Sequence, residues 1–310
     1  MMAYLRAFGY ALPAERVGNA ALAARTGMSA AQIAEKTGIR ERRYAAEGVS
    51  VADLGSAAAL DCLTNAGLSA RDVGLILFST GSGELCFPGP ASELAARLGL
   101  ASTPAIDLPI ASAGSLVGIA LANDLAPRYG NILVVAAEIM SRRISDADPD
   151  TAVLFGDGAG ACLVSRDEGF ARIVDSALYT DGNSAGSLYL PCSGTLQMNG
   201  LAVILHASRK LPRAIGDLLS KHGVLPAEVG VYLMHQANGN LLRKVASTLK
   251  VPEERVFSNI ERYGNTSSAS LLIAAAEWRS SGAQPAAGPI VLAAFGAGFH
   301  WGVVLAEDIL

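Results

Sequence analysis

The chain is short of charge, of aromatic residues and of cysteine. Only 17% of its 310 residues are charged, against 51% hydrophobic, and aromatics make up 6%. Basic and acidic residues nearly cancel, 24 against 28, and no segment carries a basic stripe. A nucleic-acid backbone is held by such a stripe, so that partner class is excluded. The four cysteines, Cys62, Cys86, Cys162 and Cys192, are dispersed and form no paired motif. This argues against a disulfide framework and fits free thiols in a reducing, cytoplasmic compartment. Four histidines, none spaced with cysteine as a ligand set, leave no metal motif. No apolar run reaches the roughly twenty residues of a membrane span. The most apolar stretch is broken by Asn123 and Asp124. The opening MMAYLRAFGYALPAERV has no apolar signal region.

What is present is a long series of small, apolar elements. Residues 3–9 read as a strand, Ala20–Thr26 and Ser29–Thr37 as short helices, and 38–42 as a charged turn. Val51–Ala66 has helical periodicity and Val73–Phe78 reads as a buried strand. Pro88–Leu98 predicts a helix, Ile132–Ala137 a strand, 141–151 a polar surface loop and Ala161–Ser165 a strand. Alternation of buried strands with helices predicts an α/β fold.

The second half repeats the first. GLSARDVGLILF (67–78) aligns without gaps on GVLPAEVGVYLM (223–234). AARLGL (95–100) matches ASTLKV (246–251), NILVVAA (131–137) matches PIVLAAF (289–295), and GACLVSRD (160–167) matches WGVVLAED (301–308). Four weak matches in one order predict a duplicated unit, with halves 1–170 and 171–310. Equivalent strand ends of the halves then face each other, where open α/β sheets bind ligands.

One stretch concentrates the chemistry. In DLPIASAGSLVGIALANDLA (107–126) a short strand runs through Ala111-Ser112-Ala113-Gly114 into an apolar helix. A hydroxyl at a sharp strand-to-helix turn meets free N–H groups and the positive end of the helix dipole. The repeat sets two further junctions against it: His235, in MHQAN at the end of an apolar strand, and Asn265, in GNTSSAS. His206 and His222 read as solvated and His300 as structural. The glycine-rich bend Gly296-Ala297-Gly298 reads either as a tight turn or as a source of backbone N–H groups for an oxyanion. FGDGAG (155–160) is not a phosphate-binding motif and reads as structural.

Together TGIRER (37–42), the elbow at 107–114, FGDGAGA, HQAN, GNTSSAS and FGAGFHWG (295–302) resemble the β-ketoacyl-ACP synthase III family over essentially the whole chain. The resemblance implies a thiolase-like, duplicated αβαβα fold and a homodimer. It implies an acyltransferase of fatty-acid or polyketide metabolism that uses acyl-CoA or acyl carrier protein, with no further cofactor. The family's Cys-His-Asn triad maps onto Ser112, His235 and Asn265, with oxyanion donors at the backbone of Ser112 and Ala297. Cys86 and Phe87 fall in the segment that lines the acyl pocket.

The departures are specific. Ser112 stands where the family has cysteine, and a serine needs a base, for which His235 is the candidate. Gln32 and Asn240 occupy pocket positions where the family has the tryptophan and an arginine of its coenzyme A clamp. A second clamp arginine falls near Pro149. An acyl-serine ester is a poorer electrophile than a thioester, which favours acyl transfer over condensation. The alternatives are a decarboxylative condensing enzyme, a catalytically silent partner subunit paired with a homologue, and an introduced Cys→Ser change.

Overall fold

A computed structural model describes residues 2–282 and 288–309. In chain order, β1 (Tyr4–Ala11), β2 (Glu15–Gly18), α1 (Asn19–Thr26), α2 (Ala30–Thr37) and β3 (Glu41–Tyr44) precede the long helix α3 (Val51–Ala66). Next come β4 (Val73–Ser79), α4 (Pro90–Arg97), β5 (Ala105–Leu108), α5 (Gly114–Tyr129), β6 (Asn131–Ile139), α6 (Pro149–Ala152) and β7 (Asp157–Ser165). The second half holds β8 (Ala171–Thr180), β9 (Leu188–Tyr189), β10 (Gln197–Met198), α7 (Gly200–Lys221), β11 (Val231–Met234) and α8 (Gly239–Leu249). It ends with β12 (Val256–Phe257), α9 (Ile260–Tyr263), α10 (Ser270–Ser280), β13 (Ile290–Gly296) and β14 (His300–Asp308).

Ten strands form one sheet in the order β12-β11-β13-β14-β8-β1-β7-β6-β4-β5. The order is a mirror about the β8–β1 pair. Outward from that pair, one wing runs β14, β13, β11, β12 and the other β7, β6, β4, β5. The aligned repeats occupy equivalent places: β4 with β11, β6 with β13, β7 with β14. Each wing pairs its three outer strands in parallel and the inner ones antiparallel.

Strand side chains alternate between two apolar cores, as period two requires when both faces are covered. Ile132, Val134 and Ala136 of β6 enter a central core with α5 and α10; so do Ile290, Leu292 and Ala294 of β13. Their neighbours Leu133, Val135 and Ala137 face α3 and α4, while Val291, Ala293 and Phe295 face α7 and α8. Helices α3 and α4, one wing, α5 and α10, the other wing, and α7 and α8 make five layers, with α5 and α10 in the middle. This is the duplicated α/β architecture expected. No helix among the described residues is long and apolar enough to cross a membrane.

The charged turn expected at 38–42 is a correction. Glu41–Tyr44 is a strand paired antiparallel with Glu15–Gly18. Its Arg42 is fully buried, and its guanidinium donates to Asn19 Oδ1 at 2.7 Å and to the Val153 carbonyl at 2.7 Å. Burial lowers its pKa to about 10, still well above neutrality. The 141–151 loop also folds more than expected, with α6 at its end and Thr151 buried.

Candidate active site

Ser112 sits between β5 and α5 with φ 62°, a left-handed conformation uncommon for serine. The turn is tied by the Ala113 N–H to the Ala111 carbonyl at 2.7 Å. Gly296, at the end of β13, packs on it so closely that a Cβ there would lie 2.1 Å from the Ala111 carbonyl oxygen and 2.9 Å from Ser112 Cβ. A glycine is required at that contact. It brings the wing that carries Ala297 against the elbow.

The segment 264–270 assembles the remainder. Asn265 Oδ1 accepts the Ser267 N–H at 2.9 Å, and its Nδ2 donates to the Ala237 carbonyl at 3.4 Å, beside His235. Ser267 Oγ accepts the Ser112 N–H at 3.1 Å and lies 3.4 Å from Ser112 Oγ. Ser268 donates from both Oγ, at 2.6 Å, and N–H, at 3.3 Å, to Glu138. Ser270 Oγ lies 2.6 Å from His235 Nδ1 and accepts the Gln236 N–H at 3.0 Å. Three serines thus hold three different partners. The segment is itself held by FGDGAG, since Gly156 N–H donates to the Asn265 carbonyl and Asn265 N–H to the Leu154 carbonyl. A Cβ at Gly156 would lie 2.3 Å from the Tyr263 carbonyl oxygen.

His235 is buried, and its ring meets Phe295 edge-on at 5.4 Å. Burial lowers its pKa to about 3, so the imidazole is neutral near pH 7. With Nδ1 engaged by Ser270, Nε2 is the nitrogen left for the reacting atoms. Glu138 is fully buried and accepts from Thr80 Oγ1, the Gly81 N–H and Ser82 Oγ as well as from Ser268. It braces Thr80–Ser82, which follow β4 and pack at Gly81 on Ala111, against the 264–270 segment. Sequence reasoning missed Glu138, Ser267 and Ser270. The hydroxyl-rich GNTSSAS and one carboxylate inside the apolar run NILVVAAEI were the available signals.

A cavity of about 760 Å³ reaches Ala111, Ala297 and Gly298. It is walled by apolar side chains including Phe78, Leu108, Leu188 and Leu190, and its mouth carries Cys86, Phe87 and Cys192. Cys86, Phe87 and Ala297 therefore line one cavity. His300, read as structural, lines the cavity with its Nδ1 2.8 Å from Thr180 Oγ1. His206, read as solvated, is half-buried with its ring 5.3 Å from Phe299.

Gln32 and Asn240 meet opposite ends of helix α2. Neither lines this cavity. Gln32 is exposed and closes a capping box with Ser29 at the start of α2. Asn240 donates to the Glu35 and Lys36 carbonyls at the other end of that helix. Both satisfy helix-end backbone groups, work that a short polar side chain does from the surface.

Residues 106–182 match 3-oxoacyl-[acyl-carrier-protein] synthase III, and residues 219–307 match its C-terminal part. The chain is 39% identical to a β-ketoacyl-[acyl-carrier-protein] synthase III of Gloeobacter violaceus, covering 96% of each. It is 36% identical to that of Oleidesulfovibrio alaskensis, covering 97% of this chain and 98% of the other. The chain belongs to the 3-oxoacyl-ACP synthase III family. Its fold superposes on the crystal structure of the Aquifex aeolicus VF5 synthase III with a TM-score of 0.94 at 33% identity, covering 98% and 99% of the two chains. The priming β-ketosynthase of the R1128 polyketide pathway gives a TM-score of 0.90 at 30% identity, covering 99% and 96%. The family is one of condensing, acyl-transferring enzymes with a thiolase-like fold, and this chain is an enzyme of that kind.

Proposed function

We propose that this enzyme takes an acyl group from a coenzyme A or carrier-protein thioester onto Ser112 and passes it to an acceptor. The observation that carries the reading is the buried Ser112 hydroxyl on its left-handed turn, beside an apolar cavity large enough for an acyl chain. Ser112 Oγ attacks the thioester carbonyl carbon and the C–S bond breaks. His235 Nε2 takes the serine proton and returns it to the leaving thiolate. With a pKa near 3 its imidazolium is only a transient carrier. The Ala297 region supplies backbone N–H groups to the oxyanion. The relatives named for acyl-carrier-protein synthases support a carrier-bound donor.

Intact-mass measurement after incubation with a panel of acyl-CoA and acyl-carrier thioesters tests this. An adduct that maps to Ser112 and disappears in Ser112→Ala is expected. No adduct with any donor sinks the reading.

A second reading is decarboxylative condensation. The neutral imidazole favours it, because a neutral His235 and the Asn265 amide are uncharged groups suited to holding an enolate oxygen. It requires a 3-oxoacyl product from malonyl-ACP; acyl exchange without that product excludes it. Either reading is proposed for a homodimer, since edge strand β5 carries the exposed Ile106 and lies near the exposed Leu85 and Phe87. Light scattering at two concentrations reads that state, and co-purification with a homologue reads a mixed pair instead.

A further inference from the structure

Ser267 touches the candidate nucleophile twice and has no part in the scheme above. Its Oγ accepts the Ser112 N–H at 3.1 Å and lies 3.4 Å from Ser112 Oγ. It is buried, left-handed at φ 47°, and anchored by its own N–H to Asn265 Oδ1. A hydroxyl has one proton and two lone pairs. The Ser112 N–H takes one lone pair. An ionised oxygen at position 112 can only accept, so in that state the contact between the two side chains has one direction, with Ser267 donating.

We propose that Ser267 is a catalytic hydroxyl that stabilises the ionised nucleophile at position 112 by donating its proton to it. The proposal rests on reading Ser112 as the acyl acceptor. The Ser112 proton goes to His235 Nε2, and the Ser267 proton stays on Ser267 throughout. When Ser112 Oγ bonds to the carbonyl carbon its negative charge passes to the new oxyanion, Oγ becomes a neutral and weaker acceptor, and the pairing with Ser267 loosens. The Ser112 N–H is then released to the new oxyanion. The tetrahedral centre collapses, the C–S bond breaks, and the thiolate leaves with the proton from His235. A serine is far less acidic than a thiol and gains more from such a donor.

The test makes the nucleophile titratable. In Ser112→Cys, the pH dependence of iodoacetamide alkylation at residue 112 reports thiol ionisation. Peptide mass spectrometry separates it from Cys86 and Cys192, which are exposed. Adding Ser267→Ala, or separately Ser267→Gly, is expected to raise the midpoint by about one pH unit, roughly a tenfold fall in thiolate below it. Glycine adopts positive φ readily, so agreement between the two variants assigns the shift to the hydroxyl and not to the backbone. An unmoved midpoint in either folded variant overturns the proposal. The readout needs no acyl donor. A shifted midpoint with no acylation of wild-type Ser112 removes the acyl-transfer reading and leaves the Ser267 donor in place. Acylation with an unmoved midpoint does the reverse.

Discussion

His235 Nδ1 lies 2.6 Å from Ser270 Oγ, and the same oxygen accepts the N–H of Gln236, the residue after the histidine. One hydroxyl therefore ties the ring's orientation to the backbone of the next residue. Ser270→Ala leaves a buried ring nitrogen and a backbone N–H without a partner. Each such loss costs about 1–3 kcal/mol. Acylation of Ser112 is expected to slow by about tenfold to a hundredfold, as small misplacements of a reacting group do. Thioester KM should stay within about twofold, because Ser270 is absent from the cavity wall. Stopped-flow acylation checks this; an unchanged rate with a weakened KM contradicts it.

Burial of His235 makes stability depend on pH. Its folded pKa is depressed to about 3 from an ordinary 6.5. Below pH 6.5 the unfolded chain takes up a proton that the folded chain refuses, so this contribution is complete above pH 6.5 and is lost as pH falls towards 3. At pH 5 the loss is about 2 kcal/mol. Urea unfolding of wild type between pH 7 and pH 5 should fall more steeply than that of His235→Gln by about this amount. Parallel profiles would place a solvated imidazole at position 235.

The layers and the elbow were legible because they are written locally. Period-two burial in NILVVAA and PIVLAAF, and small residues before an apolar helix, need no distant partner to be seen. Arg42 was misread for the opposite reason. Its burial depends on Asn19 and Val153, acceptors far away in the chain, which cancel the cost of desolvating its charge. Gln32 and Asn240 are pocket candidates by correspondence of position, and the hydrogen bonds they make go to helix α2. The site's serines resisted reading because their roles follow from which partner each hydroxyl meets.

Glu138 gives the sharpest contrast between charge and shape. Its carboxylate accepts from three side-chain hydroxyls and from the N–H groups of Gly81 and Ser268. Glu138→Gln preserves volume but points an NH₂ group at donors, and the two backbone donors cannot turn away. A loss of about 2–3 kcal/mol is expected, with slower acylation as the 264–270 segment loosens. Thermal melts check the first part. A variant melting within about 1 °C of wild type would mean that these donors do not depend on a carboxylate acceptor.

Gly296 tests whether the two wings meet at the nucleophile. Gly296→Ala would put a Cβ 2.1 Å from the Ala111 carbonyl oxygen and 2.8 Å from the Ala113 nitrogen, both backbone atoms of the elbow. Neither can rotate aside, so the elbow or β13 must shift, at a cost of about 1–3 kcal/mol. Acylation should fall by at least about a hundredfold, because Ser112 and the Ala297 N–H region move apart. Gly216→Ala is the matched control. It lies inside α7, where a Cβ meets nothing within 4 Å, and alanine there should add about 0.5–1 kcal/mol of stability with activity unchanged. If the two variants acylate alike, the contact between Gly296 and the elbow does not position the nucleophile.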